Sequence, residues 1–226
     1  VKDKESGFSF VICSINPRLA IQTERWILAN FGSNVADISF IKDSSSISKA
    51  YNEGLKKATG KYICFVHEDV EIGGINISAL KRLLDAKNTG FVGVAGCRDL
   101  NEEAIWWQSD GLSGACGHIK IESLILKKWY NNYGPHGSVL VLDGVILFAK
   151  IETLKDNNIF WDEEIFSDFD FYDISITYLA NSYGLKNYTF SNILIYHWGL
   201  GYPRNSWNVN REKFKEWRRS IKHKIL

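Results

Sequence analysis

Short apolar runs alternate with amphipathic stretches along the first hundred residues. Phe8–Ser14 (FSFVICS) is nearly continuous in apolar character, the pattern of a strand covered on both faces. Pro17 opens a predicted helix through Asn30, proline being suited to a first turn. Asp37–Lys42 (DISFIK) reads as a second strand. Ser44–Ser46 offer N-caps to a helix in which Tyr51, Leu55 and Ala58 recur at helical spacing. Tyr62–Val66 is a third strand, ending abruptly at His67, Glu68 and Asp69. A helix over Ile75–Lys87 follows, with Leu80, Leu83 and Leu84 on one face, and then a fourth strand at Phe91–Gly96 (FVGVAG). Strand alternating with helix argues for a mostly parallel α/β sheet in a Rossmann-like, nucleotide-binding arrangement.

The pattern changes after residue 96. Gly111, Gly114, Gly117, Gly134 and Gly137 predict short strands and loops over Cys97–Ser138. Val139–Phe148 reads as a buried strand region interrupted by Asp143-Gly144. A helix is predicted over Asp170–Tyr183, stopping at Gly184. Asn192–Trp198 reads as a last strand and Asn208–Lys224 as a terminal helix. With no internal repeat and no low-complexity linker, the expectation is one domain. Residues 8–96 form a nucleotide-binding half, 97–207 an acceptor half and 208–226 a basic amphipathic helix.

Composition narrows the class. The 226 residues are 45% hydrophobic and 23% charged with a net charge of +1, so a real core can form and no global field draws nucleic acid. No apolar run approaches the roughly 20 residues of a membrane span. Val1–Gly7 is charged and lacks the apolar segment of a signal peptide. Cys13, Cys64, Cys97 and Cys116 form no zinc-like pair, and the expectation is free thiols in a reducing compartment. The chain contains no methionine, which reads as a processed chain or a fragment.

A buried parallel strand that ends in acids places charge at the carboxyl edge of the sheet, where open α/β folds bind ligands. The run Asn52, Gly54, Ala58, Gly60, strand, His67-Glu68-Asp69 closely resembles the A-type (GT-A) glycosyltransferases of inverting family 2, which read Asn-x-Gly, Ala-x-Gly, strand, Asp-x-Asp. HEDV fits a branch with His-x-Asp in that place. The resemblance implies a nucleotide-diphosphate sugar donor, with Asp69 as ligand of a divalent cation and Asn52, His67 and Glu68 beside the nucleotide. Carboxylate oxygens suit a hard cation that neutralises a departing diphosphate. The bland reading of the same triplet is a solvated loop.

In the resembling enzymes the general base lies within a Glu-Asp or Tyr-Asp pair, which Tyr172-Asp173 matches. Asp173 is thus the expected base, and Asp170, one helical turn earlier, its reserve. One carboxylate suffices for a single inverting displacement. Acids in a first helical turn are also what the helix dipole favours. His197, after the last strand, matches a further metal ligand. Its imidazole tilts the choice between Mn²⁺ and Mg²⁺ toward manganese, and Gly199-Leu200-Gly201 matches a lid over the diphosphate.

Asp143-Gly144 resembles a pair that binds acceptor or sugar hydroxyls, although Asp-Gly equally serves a hairpin turn. Asp43 matches an acid that contacts base or ribose, and Ser14–Asn16 border the nucleobase. Trp106 and Trp107 offer rings to sugar faces, with one of the two expected in the core. His118 and His136 receive no role. The terminal helix bears a Phe214, Trp217, Ile221 and Ile225 stripe among Arg211, Lys215, Arg218, Arg219 and Lys222. Docking on the domain is the default, and contact with anionic lipid the alternative. The branch implies a glycan or lipid-linked acceptor and a cytoplasmic role at the inner membrane face in bacterial surface polysaccharide synthesis. A non-catalytic sugar-nucleotide-binding module and a metal-dependent phosphoesterase are the competing readings.

Overall fold

The computed structural model describes residues 6–199 and 206–225, with side chains through Ile221. The first elements are β1 (Phe8–Ser14), α1 (Pro17–Phe31), β2 (Val35–Lys42), α2 (Ile47–Lys57), β3 (Tyr62–His67), β4 (Val70–Ile75) and α3 (Ile77–Asp85). Next come β5 (Thr89–Gly93), β6 (Ala95–Asp99), β7 (Asp110–Glu122), β8 (Ile125–Gly134), β9 (Ser138–Val139), β10 (Val141–Leu142) and β11 (Ile146–Lys150). The chain continues through α4 (Ile151–Asp156), α5 (Tyr172–Ser182), β12 (Lys186–Thr189), β13 (Ile193–His197) and α6 (Trp207–Ile225).

The larger sheet runs β2-β1-β3-β11-β5-β12-β9. β2, β1 and β3 pair in parallel, β11 is antiparallel to β3 and β5, and β12 is parallel to β5. Alternate side chains of its central strands feed two cores. Phe8, Phe10, Ile12, Cys64 and Val66 pack with α1 and α3, while Val11, Ile63 and Phe65 pack with α2, α4 and α5 on the other face. This two-sided burial is why these strands read as continuous apolar runs. Gly54 explains part of the Asn-x-Gly pattern: a methyl group there would overlap the Val11 side chain, so only glycine lets α2 lie this close to β1. A second sheet runs β10-β6-β7-β13-β4, with β8 added to β7.

Several expected elements differ. Phe91–Gly96 is not one strand, because β5 ends at Gly93 in the larger sheet and β6 starts at Ala95 in the smaller. Val94, at the crossing, is itself buried and so carries no turn signal. The glycine-rich segment 97–138 forms a long β7–β8 hairpin instead of short strands and loops. Pairing from Gly114↔Gly134 to Glu122↔Ile125 overrides the weak strand preference of glycine. β4, α4 and β12 had no expectation. β4 exists because β13 pairs with it, Ile193↔Ile75 to His197↔Val70, and no local pattern encodes that partner. β9, β11 and β12 complete the larger sheet and β4 joins the smaller, so neither sheet ends at residue 96.

The Phe214, Trp217 and Ile221 part of the α6 stripe is docked, and the side chains of Lys222 and Ile225 lie outside the described residues. Phe214 stacks on Phe171 with centroids 5.6 Å apart, and Trp217 meets Phe166 at 5.4 Å. Arg218 donates to the carbonyls of Asn101 and Leu100, and Arg211 pairs with Glu103. This face is therefore occupied by the protein itself.

Candidate active site

β3 carries His67 to the carboxyl edge of the larger sheet, and the turn after it presents Asp69. Pairing of β13 with β4 brings His197 alongside. His197 Nε2 lies 3.1 Å from Asp69 Oδ1 and 3.3 Å from His67 Nδ1. One ligand atom from each of the three residues falls within 4.8 Å of the others. Burial alone would lower the pKa of His197, but the hydrogen bond and charge of Asp69 outweigh it and raise the value. Burial likewise pushes Asp69 up, yet His197 and then His67 hold it below the usual carboxylate range.

Tyr172 decides how His67 is presented. Its hydroxyl donates to the Gly144 carbonyl at 3.2 Å, which uses its only hydrogen. The same hydroxyl lies 2.5 Å from His67 Nε2 and fixes the ring, so that Nδ1 faces His197 Nε2. Two imidazole nitrogens and one carboxylate oxygen in reach of a common point fit a divalent transition metal such as Mn²⁺ better than Mg²⁺. Tyr172→Phe keeps the ring packed on Tyr51, 5.6 Å away, and removes the hydroxyl that meets both His67 and the Gly144 carbonyl. It is expected to weaken Mn²⁺ binding about 10–100-fold. Unchanged affinity in isothermal titration calorimetry would show that His67 is oriented by other contacts.

The second group of charges is a carboxylate pair. Phe171, in the left-handed region at φ 62°, turns the chain into α5, so Asp173 falls in its first turn. Its carboxylate accepts from the backbone N–H groups of Gly144 and Ile174, both at 2.8 Å. Burial raises its pKa, the nearby Asp143 raises it further, and together they outweigh these two donors, to about 7. Asp143 is itself oriented by the Val145 N–H at 3.0 Å. The Asp143-Gly144 turn is not a hairpin: it carries the chain from β10 in one sheet to β11 in the other. Any side chain at Gly144 would strike the Tyr172 hydroxyl and Asp173 Cβ, which makes this glycine a condition of the site.

These groups share one cavity of about 370 Å³. His67, His197, Asp143, Gly144, Asp170 and Asp173 line it, and Asp69 reaches it through His197. Trp106, Trp107, Tyr133 and Trp207 form an aromatic wall. Trp106 is buried against Tyr133 while Trp107 is exposed beside Trp207, so the expected division of the pair holds. A 3₁₀ turn over Trp106–Gln108 produces it, not strand alternation. Asp170 precedes α5 and does not share a helical face with Asp173; its carboxylate accepts from Ser206 and Asn210 of the α6 region.

The remaining candidates lie outside the cavity. Glu68 accepts from the backbone of Ile15 and Asn16, tying the β1–α1 loop to the metal edge. Asn16 caps α1 through the Arg18 N–H. Asp43 is exposed at the end of β2, and the hydroxyl of buried Ser14 has no partner among the described residues. Asn52, expected beside the cofactor, is a staple: its amide donates to Trp161 O and Glu163 and accepts from the Trp161 N–H. No donor of Asn52 remains for a ligand. Leu200 and Gly201 of the expected lid lie outside the described residues. Tyr172, Tyr133, His118 and Trp207 joined the site without being foreseen. Only Tyr172, inside the Tyr-Asp pair, had carried a signal.

A ligand-competent cluster and a carboxylate pair thus lie close together at the carboxyl edge of the larger sheet. Among solved structures, A197 from STIV is similar, with a TM-score of 0.52 and 14% identity over 85% of this chain and 86% of its own. GalNAc-T7, solved with UDP, GalNAc and Mn2+, has a TM-score of 0.52 and 12% identity over 90% of this chain but 39% of its own. The chain belongs to the glycosyltransferase-like family, whose sequence model matches residues 9–223. No curated protein sequence matches it.

Proposed function

We propose that the protein transfers a sugar from a nucleoside-diphosphate donor to a hydroxyl of a glycan or lipid-linked acceptor, with inversion at the anomeric carbon. The observation that carries this reading is a three-ligand cluster, two of whose residues, His67 and His197, line the same cavity as a carboxylate whose pKa is raised to about 7. A base with a pKa near the working pH is best suited to remove a hydroxyl proton during attack.

In this reading Asp143 accepts a hydrogen bond from the acceptor hydroxyl and orients it. The oxygen attacks the anomeric carbon as its proton passes to Asp173. Trp107 and Trp207 support the sugar faces. Asp69, His197 and His67 hold a divalent cation, with Mn²⁺ favoured over Mg²⁺, and that ion supplies charge neutralisation for the departing diphosphate. Ser14, Asn16 and Asp43, around the ends of β1 and β2, border the nucleotide, and the donor half of the chain is 8–96. A cytoplasmic role in building bacterial surface polysaccharide completes the proposal.

Incubation with UDP-, GDP- and dTDP-sugars and Mn²⁺ tests it. The expected products are a nucleoside diphosphate and a glycoside of inverted configuration, read by NMR. Binding without turnover would indicate a non-catalytic module, and a nucleoside monophosphate with sugar phosphate a phosphoesterase.

A further inference from the structure

The β7–β8 hairpin ends in an apolar tip that the described protein does not cover. Leu124 is 98% exposed, and Ile121, Ile125 and Leu126 are each more than half exposed. Both turn residues, Ser123 and Leu124, are left-handed, with φ of 51° and 66°. Two-residue turns of that kind favour Asn-Gly, and a bulky residue there is strained. Leu124 thus combines strain with full exposure, and nothing inside the described fold offsets either.

Cross-strand register pairs Ile121 with Leu126 and Glu122 with Ile125. Paired residues share a face and neighbours alternate, so apolar side chains leave the tip on both faces and at the apex. A protein partner engages one face, whereas an end with an apolar apex and apolar side chains on both faces, Glu122 being paired with lysines, suits an apolar medium. Behind the tip lie Lys120, Lys127 and Lys128, and behind them Trp129 and Tyr130. At about 3.4 Å per residue the lysines stand about 10 Å behind Leu124, close to the depth of about 5–10 Å at which amphipathic elements sit in a bilayer boundary. Glu122 and Glu71 pair with these lysines, but such exposed pairs are weak and exchange readily for lipid phosphates. Apolar apex, cationic layer, aromatic collar is the order that a membrane boundary selects.

We propose that this hairpin docks on an anionic lipid surface. Ile121, Leu124, Ile125 and Leu126 enter the boundary, and Lys120, Lys127 and Lys128 meet the headgroup phosphates. No helix of the described residues is long and apolar enough to cross a membrane. Further along the same hairpin, Cys116 and His118 line the cavity, with His118 stacked on Trp129 at 5.3 Å. A lipid-linked acceptor would be offered along that wall. This last point rests on the sugar-transfer reading, and the docking does not.

Co-sedimentation with vesicles of phosphatidylcholine mixed with phosphatidylglycerol, compared with pure phosphatidylcholine, tests it without any substrate. The wild type is expected to prefer the anionic vesicles at least about 10-fold, with binding weakened by salt. Leu124→Asp with Ile125→Asp should abolish binding. Ser123→Asn with Leu124→Gly installs the favoured turn, so its Tm should rise while vesicle binding falls at least about 10-fold. Lys127→Glu with Lys128→Glu should remove the anionic preference. Indifference of the wild type to both vesicles, or full binding by the Asn-Gly variant, overturns the proposal. So does a tip-dependent dimer in sedimentation velocity, which would make a second copy the occupant.

Discussion

Asp173→Asn is expected to lower kcat for transfer about 10²–10⁴-fold with little change in donor affinity. The amide cannot take a proton; its single oxygen keeps one of the two backbone donors, Gly144 or Ile174, in a side chain of the same shape. The pH dependence gives a second reading of the same residue. A base with a pKa of about 7 makes kcat/KM climb with pH and level off above that value. Asp143→Asn removes the second cause of the elevation and should move the midpoint to lower pH. The stability consequence has a defined sign. A carboxyl whose folded pKa exceeds its unfolded value of about 3.9 binds its proton more tightly when folded. Its contribution is complete below the unfolded value and is lost as pH rises through about 7. Wild-type turnover in Asp173→Asn would remove this residue from the mechanism.

Asp69→Asn is expected to cost more than about 100-fold in Mn²⁺ affinity, since it removes the only carboxylate of the cluster; loss of an outer partner alone costs about 10–100-fold. His197 loses its ion pair at the same time. The measurement is thermal: ligand at 100 times its Kd stabilises a fold by about 2.7 kcal/mol, so the wild-type Tm should rise with Mn²⁺ and the variant's should not. An equal Mn²⁺ shift in both proteins would place the ion elsewhere.

The elements that could be read from the sequence are those whose burial is two-sided and local. β1, β3, α1 and α2 each carry their own periodicity and caps, and Ser46 does cap α2 through the Lys49 N–H. β4 could not be read that way, because its strand character comes from β13, more than a hundred residues later. The site divides along the same line. His67, Asp69 and His197 stood out as polar residues closing apolar runs, and Asp173 through the Tyr-Asp pair that opens a helix. Asn52 stood out equally, and its role as a staple appears only when Trp161 is seen beside it.

Residue types and their spacing by themselves determined the α/β class, the strand ends that carry acids and imidazoles, and the resemblance to sugar-transferring enzymes. Only the tertiary structure decided that Asp143 lies close enough to Asp173 to raise its pKa, and that the Tyr172 hydroxyl meets His67. It alone left Leu124 bare at a strained turn. The physical reason is range. Periodicity and capping act within a few residues, whereas desolvation, charge coupling and hydrogen-bond direction depend on atoms that the chain brings together from far apart.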